Sequence, residues 1–135
     1  MKNKKILILE GGLNEESDVS LVTSKEIQKI LIQNKLQFKT LRVNPKNFHK
    51  KIINYKNFIC INALHGSFGE DGQIQKILKK NNIPFSHSNI KSSNLCFNKS
   101  ASKKQIIKNK LVSPKYYLLN INDLNEKKLN IIKII

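Results

Sequence analysis

Apolar residues fall along the chain in short runs that alternate with longer stretches of helical spacing. Ile6 to Leu9 is a continuous apolar run that ends at Gly11-Gly12, the pattern of a buried strand followed by a turn. Val19, Val22, Ile27, Ile30 and Leu31 then recur at helical spacing, and Ser17 or Asp18 stands where a helix cap is expected. Phe38 to Val43 alternates like a strand and is stopped by Asn44-Pro45. Phe48 to Tyr55 is a candidate for a further helix. Phe58 to Ala63 is a third apolar run, and Ile83 to Ser86 reads as a short fourth strand. Between them Asp71 is placed to cap a helix that turns Ile74, Ile77 and Leu78 inward.

The order β-α-β-β-α-β, with long helical connections, predicts an α/β fold: an open, largely parallel, Rossmann-like sheet. Beyond Ser88 the texture changes. Asn98 to Lys110 reads as a Lys-rich helix ended by Pro114, Lys115 to Leu119 as a strand, and Leu124 to Ile135 as a last amphipathic helix. These pieces have nothing to cover them and read as the opening of a second domain. The expected division is residues 1–93 for the sheet domain and 94–135 for an incomplete second one.

Composition changes this picture little. The formal charge of +16 comes from 25 Lys and Arg against nine acidic residues, which raises the question of nucleic acid. Lysine is spread rather than massed, Arg42 is the single arginine, and Lys, Asn and Ile dominate. A general compositional drift accounts for the charge, and a basic patch for a small anion or a nucleic-acid surface are the alternatives. Cys60 and Cys96 lie in apolar surroundings without CxxC spacing, so buried free thiols in a reducing cytosol are expected. The basic, apolar N-terminus is too short for a signal segment, and no run approaches a membrane span, so a soluble cytoplasmic protein is expected.

Against that basic background the placement of acid is informative. Four of the nine carboxylates fall between Glu10 and Asp18, just after the first strand. Two more, Glu70 and Asp71, sit in the stretch from His65 to Gly72, with one His and three Gly in eight residues. Both loops follow strands that end on the same side of a parallel sheet, where ligands bind in open α/β folds. Helix N-termini after each loop offer free N–H groups. Glu16 there suits a ligand ammonium and His65 a carboxylate, which together make a pocket for a small zwitterion such as an amino acid. Plainer explanations stand beside this one: a glycine pair for a tight turn, and acids that favour helix starts. The run GGLNEES does not follow the dinucleotide fingerprint, and His49 and His87 lack the partner spacing of a metal site.

Three segments taken together carry a resemblance: GGLNEESDVSLVTS (11–24), ALHGSFGEDGQIQ (63–75) and NNIPFSHSNIKSSNLCFNKSASKKQIIKNKLVSPKYYLL (81–119). In order and spacing they resemble the N-terminal part of the D-alanine–D-alanine ligases, from about Lys5 to Leu119. The resemblance implies a Rossmann-like pre-ATP-grasp domain followed by the truncated start of an ATP-grasp domain. It implies ATP-dependent formation of the D-alanyl-D-alanine dipeptide of peptidoglycan, with ATP and Mg²⁺ or Mn²⁺ as cofactors, in a cytoplasmic homodimer without nucleic-acid or membrane partners. Glu16 matches the catalytic glutamate that holds the ammonium of the first D-alanine. Val19 and Ser20 match residues lining that subsite, His65 the histidine beside the substrate carboxylate, and Lys99 an ATP-contacting lysine. Lys76, Asn98 and Ser17 depart from the family's preferences. The metal ligands and the remaining nucleotide and oxyanion residues come later in the family and are not in these residues, so little or no activity is expected from this chain alone. Two other readings remain: a related D-alanine–D-lactate or D-serine ligase, and a non-catalytic amino-acid-binding module.

Overall fold

The structure is a computed structural model that describes residues 5–116. The chain divides into two compact units, Met1–Lys99 and Ser100–Ile135. The first is built on a parallel sheet of three strands in the order β2-β1-β3, with β1 at Lys5–Gly11, β2 at Phe38–Val43 and β3 at Phe58–Asn62. Leu9 lies opposite Leu41 on one side and Asn62 on the other. As the central strand, β1 is covered on both faces, and Leu7, Ile8 and Leu9 are all fully buried. That is why its sequence is a continuous apolar run instead of an alternation.

One face of the sheet carries the larger core. Leu7, Leu9, Val43, Phe58 and Cys60 pack there with Phe48 and Ile52 of the β2–β3 connection and with Ile74, Leu78 and Ile83. The connection is a single turn of helix, α2 (Phe48–Lys51), which continues as a 3₁₀ turn over Ile52–Tyr55. Helix α3 (Gln73–Lys80) supplies Ile74 and Leu78, four residues apart on one side. Burial pushes the Cys60 thiol up to about 12, so it stays protonated as a small core hydrophobe.

The other face is covered by α1 (Ser17–Gln33), and its packing departs from the expected apolar stripe. Leu31 is buried and Ile27 packs against the small cluster of Ile8 and Ala63. Val19, Val22 and Ile30, expected to face inward, are 51%, 60% and 59% exposed. The buried positions nearer the helix start are Ser20 and Ser24. Small hydroxyl residues one turn apart let the helix lie close to the end of β1 and bond to it. The Gly11 N–H donates to Ser20 Oγ at 2.8 Å, and Ser24 Oγ donates to the Glu10 carboxylate.

Other expectations shift in detail. The N-cap of α1 is Glu16, not Ser17 or Asp18, and no side chain bonds the helix end. The N-cap of α3 is Gly72 at φ 95°, with Asp71 one residue earlier. The fourth strand expected at Ile83 to Ser86 is reduced to an isolated bridge between Phe85 and Cys60, because Pro84 has no N–H to give and only Ser86 donates back to Cys60. A helix absent from the sequence reading, α4 (Ile90–Phe97), follows, with Asn89 Oδ1 accepting from the Ser92 N–H at 3.0 Å.

In the second unit α5 (Lys99–Lys108) matches the Lys-rich helix and buries no residue. Lys103 Nζ reaches the Pro114 carbonyl at 3.2 Å and lies over the Tyr116 ring. Lys115 and Tyr116 are irregular, and the rest of that expected strand, with the helix from Leu124 to Ile135, falls outside the described residues. Among the described residues no helix is long and apolar enough to cross a membrane.

Candidate functional site

Strand order places the site. From β1 the chain crosses over one face through α1 to β2, then returns on the other face to pair β3 with the opposite edge of β1. The carboxyl ends of β1 and β3 therefore flank the point where the winding reverses, the place where open α/β sheets form a ligand crevice. Both acidic loops emerge there.

The β3–α3 loop is wired to itself. Asn62 Nδ2 donates to the Gly69 carbonyl at 3.0 Å, and the Gly66 N–H donates to Glu70 Oε2 at 3.0 Å. Asp71 accepts from the N–H groups of Phe68 at 2.9 Å and Gln73 at 3.0 Å. Partial burial alone would raise the Asp71 carboxyl, but the bonds from the Gln73 and Phe68 backbones and the Gln73 side chain outweigh it and hold the group below the usual carboxylate value. Gly69 has no room for a side chain, since a Cβ there would meet Leu64 Cβ at 2.5 Å.

His65 sits between the two loops. Its Nε2 is 2.9 Å from Thr23 Oγ1 of α1, and its Nδ1 is 4.0 Å from Glu70 Oε1, an ion pair when the imidazole is protonated. The ring is thus held from both sides, and Glu70 is itself fixed by the Gly66 amide. The loops are tied together by Asn14, whose Nδ2 donates to the His65 carbonyl at 2.8 Å.

Glu16 lies across the gap. A Cβ added to Gly66 would collide with its carboxylate, so Glu16 stands directly over the residue after His65. Among the described residues no hydrogen bond or ion pair engages that carboxylate. Val19 is exposed one turn into α1. Ser20 lies beneath the loop, fully buried, with its hydroxyl taken by the Gly11 amide. The structure therefore brings Glu16 and His65 together, leaves Val19 at the surface nearby, and makes Ser20 a support of the loop.

Beside His65 opens a cavity of about 480 Å³ walled by Thr23, Leu64, His65, Glu70, Gln75, His87, Ser93, Cys96 and Lys99 among others. Lys99 lines the same cavity as His65, whereas Glu16 is not among the residues that wall it. Thr23, Glu70, Gln75 and His87 were not singled out in the sequence as site residues. Among the described residues no group of three or more His, Cys, Asp or Glu is arranged to hold a metal ion.

Comparison with known proteins bears on the fold and the sequence. No family model matches the chain. A D-alanine–D-alanine ligase of Pelagibacter ubique is 47% identical over 133 residues, 98% of this chain and 42% of that protein. One from Methylacidiphilum infernorum is 37% identical over 111 residues, 82% of this chain and 36% of that protein. Among solved structures, the D-alanine–D-alanine ligase of Bacillus anthracis complexed with ATP superposes with a TM-score of 0.77 at 31% identity, over 98% of this chain and 44% of that one. The chain thus spans less than half the length of the relatives it matches. In sequence and in fold, it is homologous over nearly its whole length to the N-terminal part of the D-alanine–D-alanine ligases.

Proposed function

We propose that this chain forms the first-substrate part of a D-alanine–D-alanine ligase, with Glu16 and His65 holding one D-alanine at the crevice between the two loops. The observation that carries the reading is the Glu16 carboxylate, without a partner among the described residues and placed over Gly66 beside His65. A lone carboxylate next to a fixed imidazole matches the two charges of a small amino acid: the ammonium on Glu16, the carboxylate on His65. Thr23 and Glu70 hold the imidazole so that it faces the ligand in one orientation. Val19 offers the methyl group an apolar neighbour, and Ser20 keeps the loop in place through Gly11.

In the full reaction ATP supplies the phosphoryl group that activates the first D-alanine carboxylate, and the amine of the second D-alanine displaces it. Lys99, at the wall of the cavity beside His65, suits a phosphate oxygen of that nucleotide. The described side chains offer no ligand set that fits a divalent metal. The same reading carries a cytoplasmic homodimer with neither nucleic-acid nor membrane partners. The even spread of lysine along the sequence supports the absence of a nucleic-acid surface.

The test is a titration of the chain with D-alanine and, separately, L-alanine, followed by calorimetry and amide NMR. D-alanine is expected to bind saturably and to move resonances at Glu16, His65 and Gly66, with Glu16→Gln weakening it at least tenfold. Binding that is equal for the two enantiomers, or indifferent to Glu16→Gln, overturns the assignment.

A further inference from the structure

The two ring nitrogens of His65 have different neighbours. Thr23 Oγ1 of α1 lies 2.9 Å from Nε2. Glu70 Oε1 lies 4.0 Å from Nδ1, and Glu70 is anchored through its other oxygen by the Gly66 N–H at 3.0 Å. A neutral imidazole carries one proton, so one nitrogen donates and the other accepts. Which does which is set by the partners.

The hydroxyl speaks first. Thr23 has one hydrogen to give, and among the described residues the only hydrogen-bond partner of its hydroxyl is His65. Were Nε2 to carry the ring proton, Thr23 would have to accept it, and its own O–H would find no acceptor in that set. With Nε2 bare, the O–H donates and the contact is complete. The carboxylate gives the same answer independently. A negative oxygen beside Nδ1 attracts an N–H there and repels a lone pair. Two neighbours on different elements, α1 and the β3–α3 loop, therefore place the ring proton on Nδ1. In water the Nε2–H form is the commoner one, so the preference here is made by the fold. At 4.0 Å the Glu70 oxygen is beyond hydrogen-bond distance. The Nδ1–H is thus not consumed, and the His65 side chain is 32% exposed.

We propose that Thr23 is a positioning residue that sets the tautomer of His65: its hydroxyl donates to Nε2, keeps the ring proton on Nδ1, and leaves that N–H as the free donor for a ligand carboxylate. In the other tautomer a lone pair would stand at Nδ1 and repel the carboxylate. This deepens the reading of the crevice as an amino-acid site and rests on His65 as its carboxylate contact.

The experiment uses the whole chain labelled with ¹⁵N-histidine, about two pH units above the ordinary imidazole value of roughly 6.5. Ring ¹⁵N–¹H correlations distinguish the two neutral tautomers, and the His65 signals are identified by their loss in His65→Asn. The ligand-free parent is expected to show the Nδ1–H form. Thr23→Val, which keeps the shape of the side chain and removes the hydroxyl, is expected to bring in the Nε2–H form, and Thr23→Ser to restore the parent pattern. By calorimetry, D-alanine affinity is expected to fall about five- to tenfold in Thr23→Val and to stay within about twofold of the parent in Thr23→Ser. An Nε2–H ring in the parent overturns the proposal, whether or not D-alanine binds. So does a ring unchanged by Thr23→Val in a variant whose amide spectrum is otherwise native, or by Thr23→Ala should the valine variant fail to fold. A changed tautomer with unchanged D-alanine affinity overturns the role of the Nδ1–H toward the carboxylate. A tautomer that responds as stated in a parent that does not bind D-alanine sinks the crevice reading and upholds Thr23 as the residue that sets the ring.

Discussion

The two acidic loops look alike in sequence and behave differently in the fold. In the β3–α3 loop both carboxylates are consumed by backbone: Glu70 by the Gly66 amide, Asp71 by Phe68 and Gln73. At the end of β1 Glu10 is tied to Ser24, while Glu16, in the loop that follows, has no such bond among the described residues. The first kind of acid shapes a loop, and the second is left for a ligand. Counting acidic residues cannot separate the two, because the separation lies in whether a backbone N–H is within reach.

Substitutions can sharpen that contrast or break it. The largest effect is expected at Gly69, where alanine would drive a Cβ into Leu64. Gly69→Ala should cost about 2–3 kcal/mol of stability by urea unfolding, and a loss under 0.5 kcal/mol would show that the loop is looser than its bonds imply. Next is Asp71→Ala, which strips the acceptor from the Phe68 N–H in the loop and the Gln73 N–H at the start of α3. A loss of about 1–2 kcal/mol is expected. The folded Asp71 value is depressed, so its contribution is present above the ordinary value of 3.8 and fades as pH falls below it. The variant should accordingly flatten the acid limb of the stability curve.

Glu16→Gln belongs to the other class. Its stability should stay within about 0.5 kcal/mol of the parent, while D-alanine affinity falls. A large stability loss instead would place Glu16 with the structural acids and erase the contrast. The smallest effect concerns His87, whose folded value is also lowered. A neutral buried imidazole gives stability that is whole above the unfolded value of 6.5 and is lost as pH falls from there toward the lower folded value. His87→Phe should remove that slope from thermal melts between neutral pH and the carboxylate range.

Much of the sheet was legible because strand burial writes itself into the sequence. Leu7 to Leu9 had to be apolar on both sides, and the turn at Gly11-Gly12, at φ 83° and 102°, needs residues that accept positive φ. The buried side of α1 was not legible, because it is made of Ser20 and Ser24 while valines face outward. Hydrophobic periodicity finds helix faces that pack on apolar surface, and this one packs on backbone. Helix α4 escaped notice for a related reason: its inward residue is Ser93, and little else in IKSSNLCF separates an inner from an outer side. At the site, Glu16 and His65 were visible as residue types placed against the average. Thr23, Gln75 and His87 were not, since only the fold brings them to one cavity wall.

The two cysteines turn the same cavity into a place that chemistry can address selectively. Cys60, sealed in β3 and held as a thiol, offers nothing to an alkylating reagent, whereas Cys96, expected to be buried, is exposed and lines the cavity wall. A maleimide or a fluorinated tag should therefore attach to the native chain at one position without any engineered residue, and that position reports from within reach of a bound ligand.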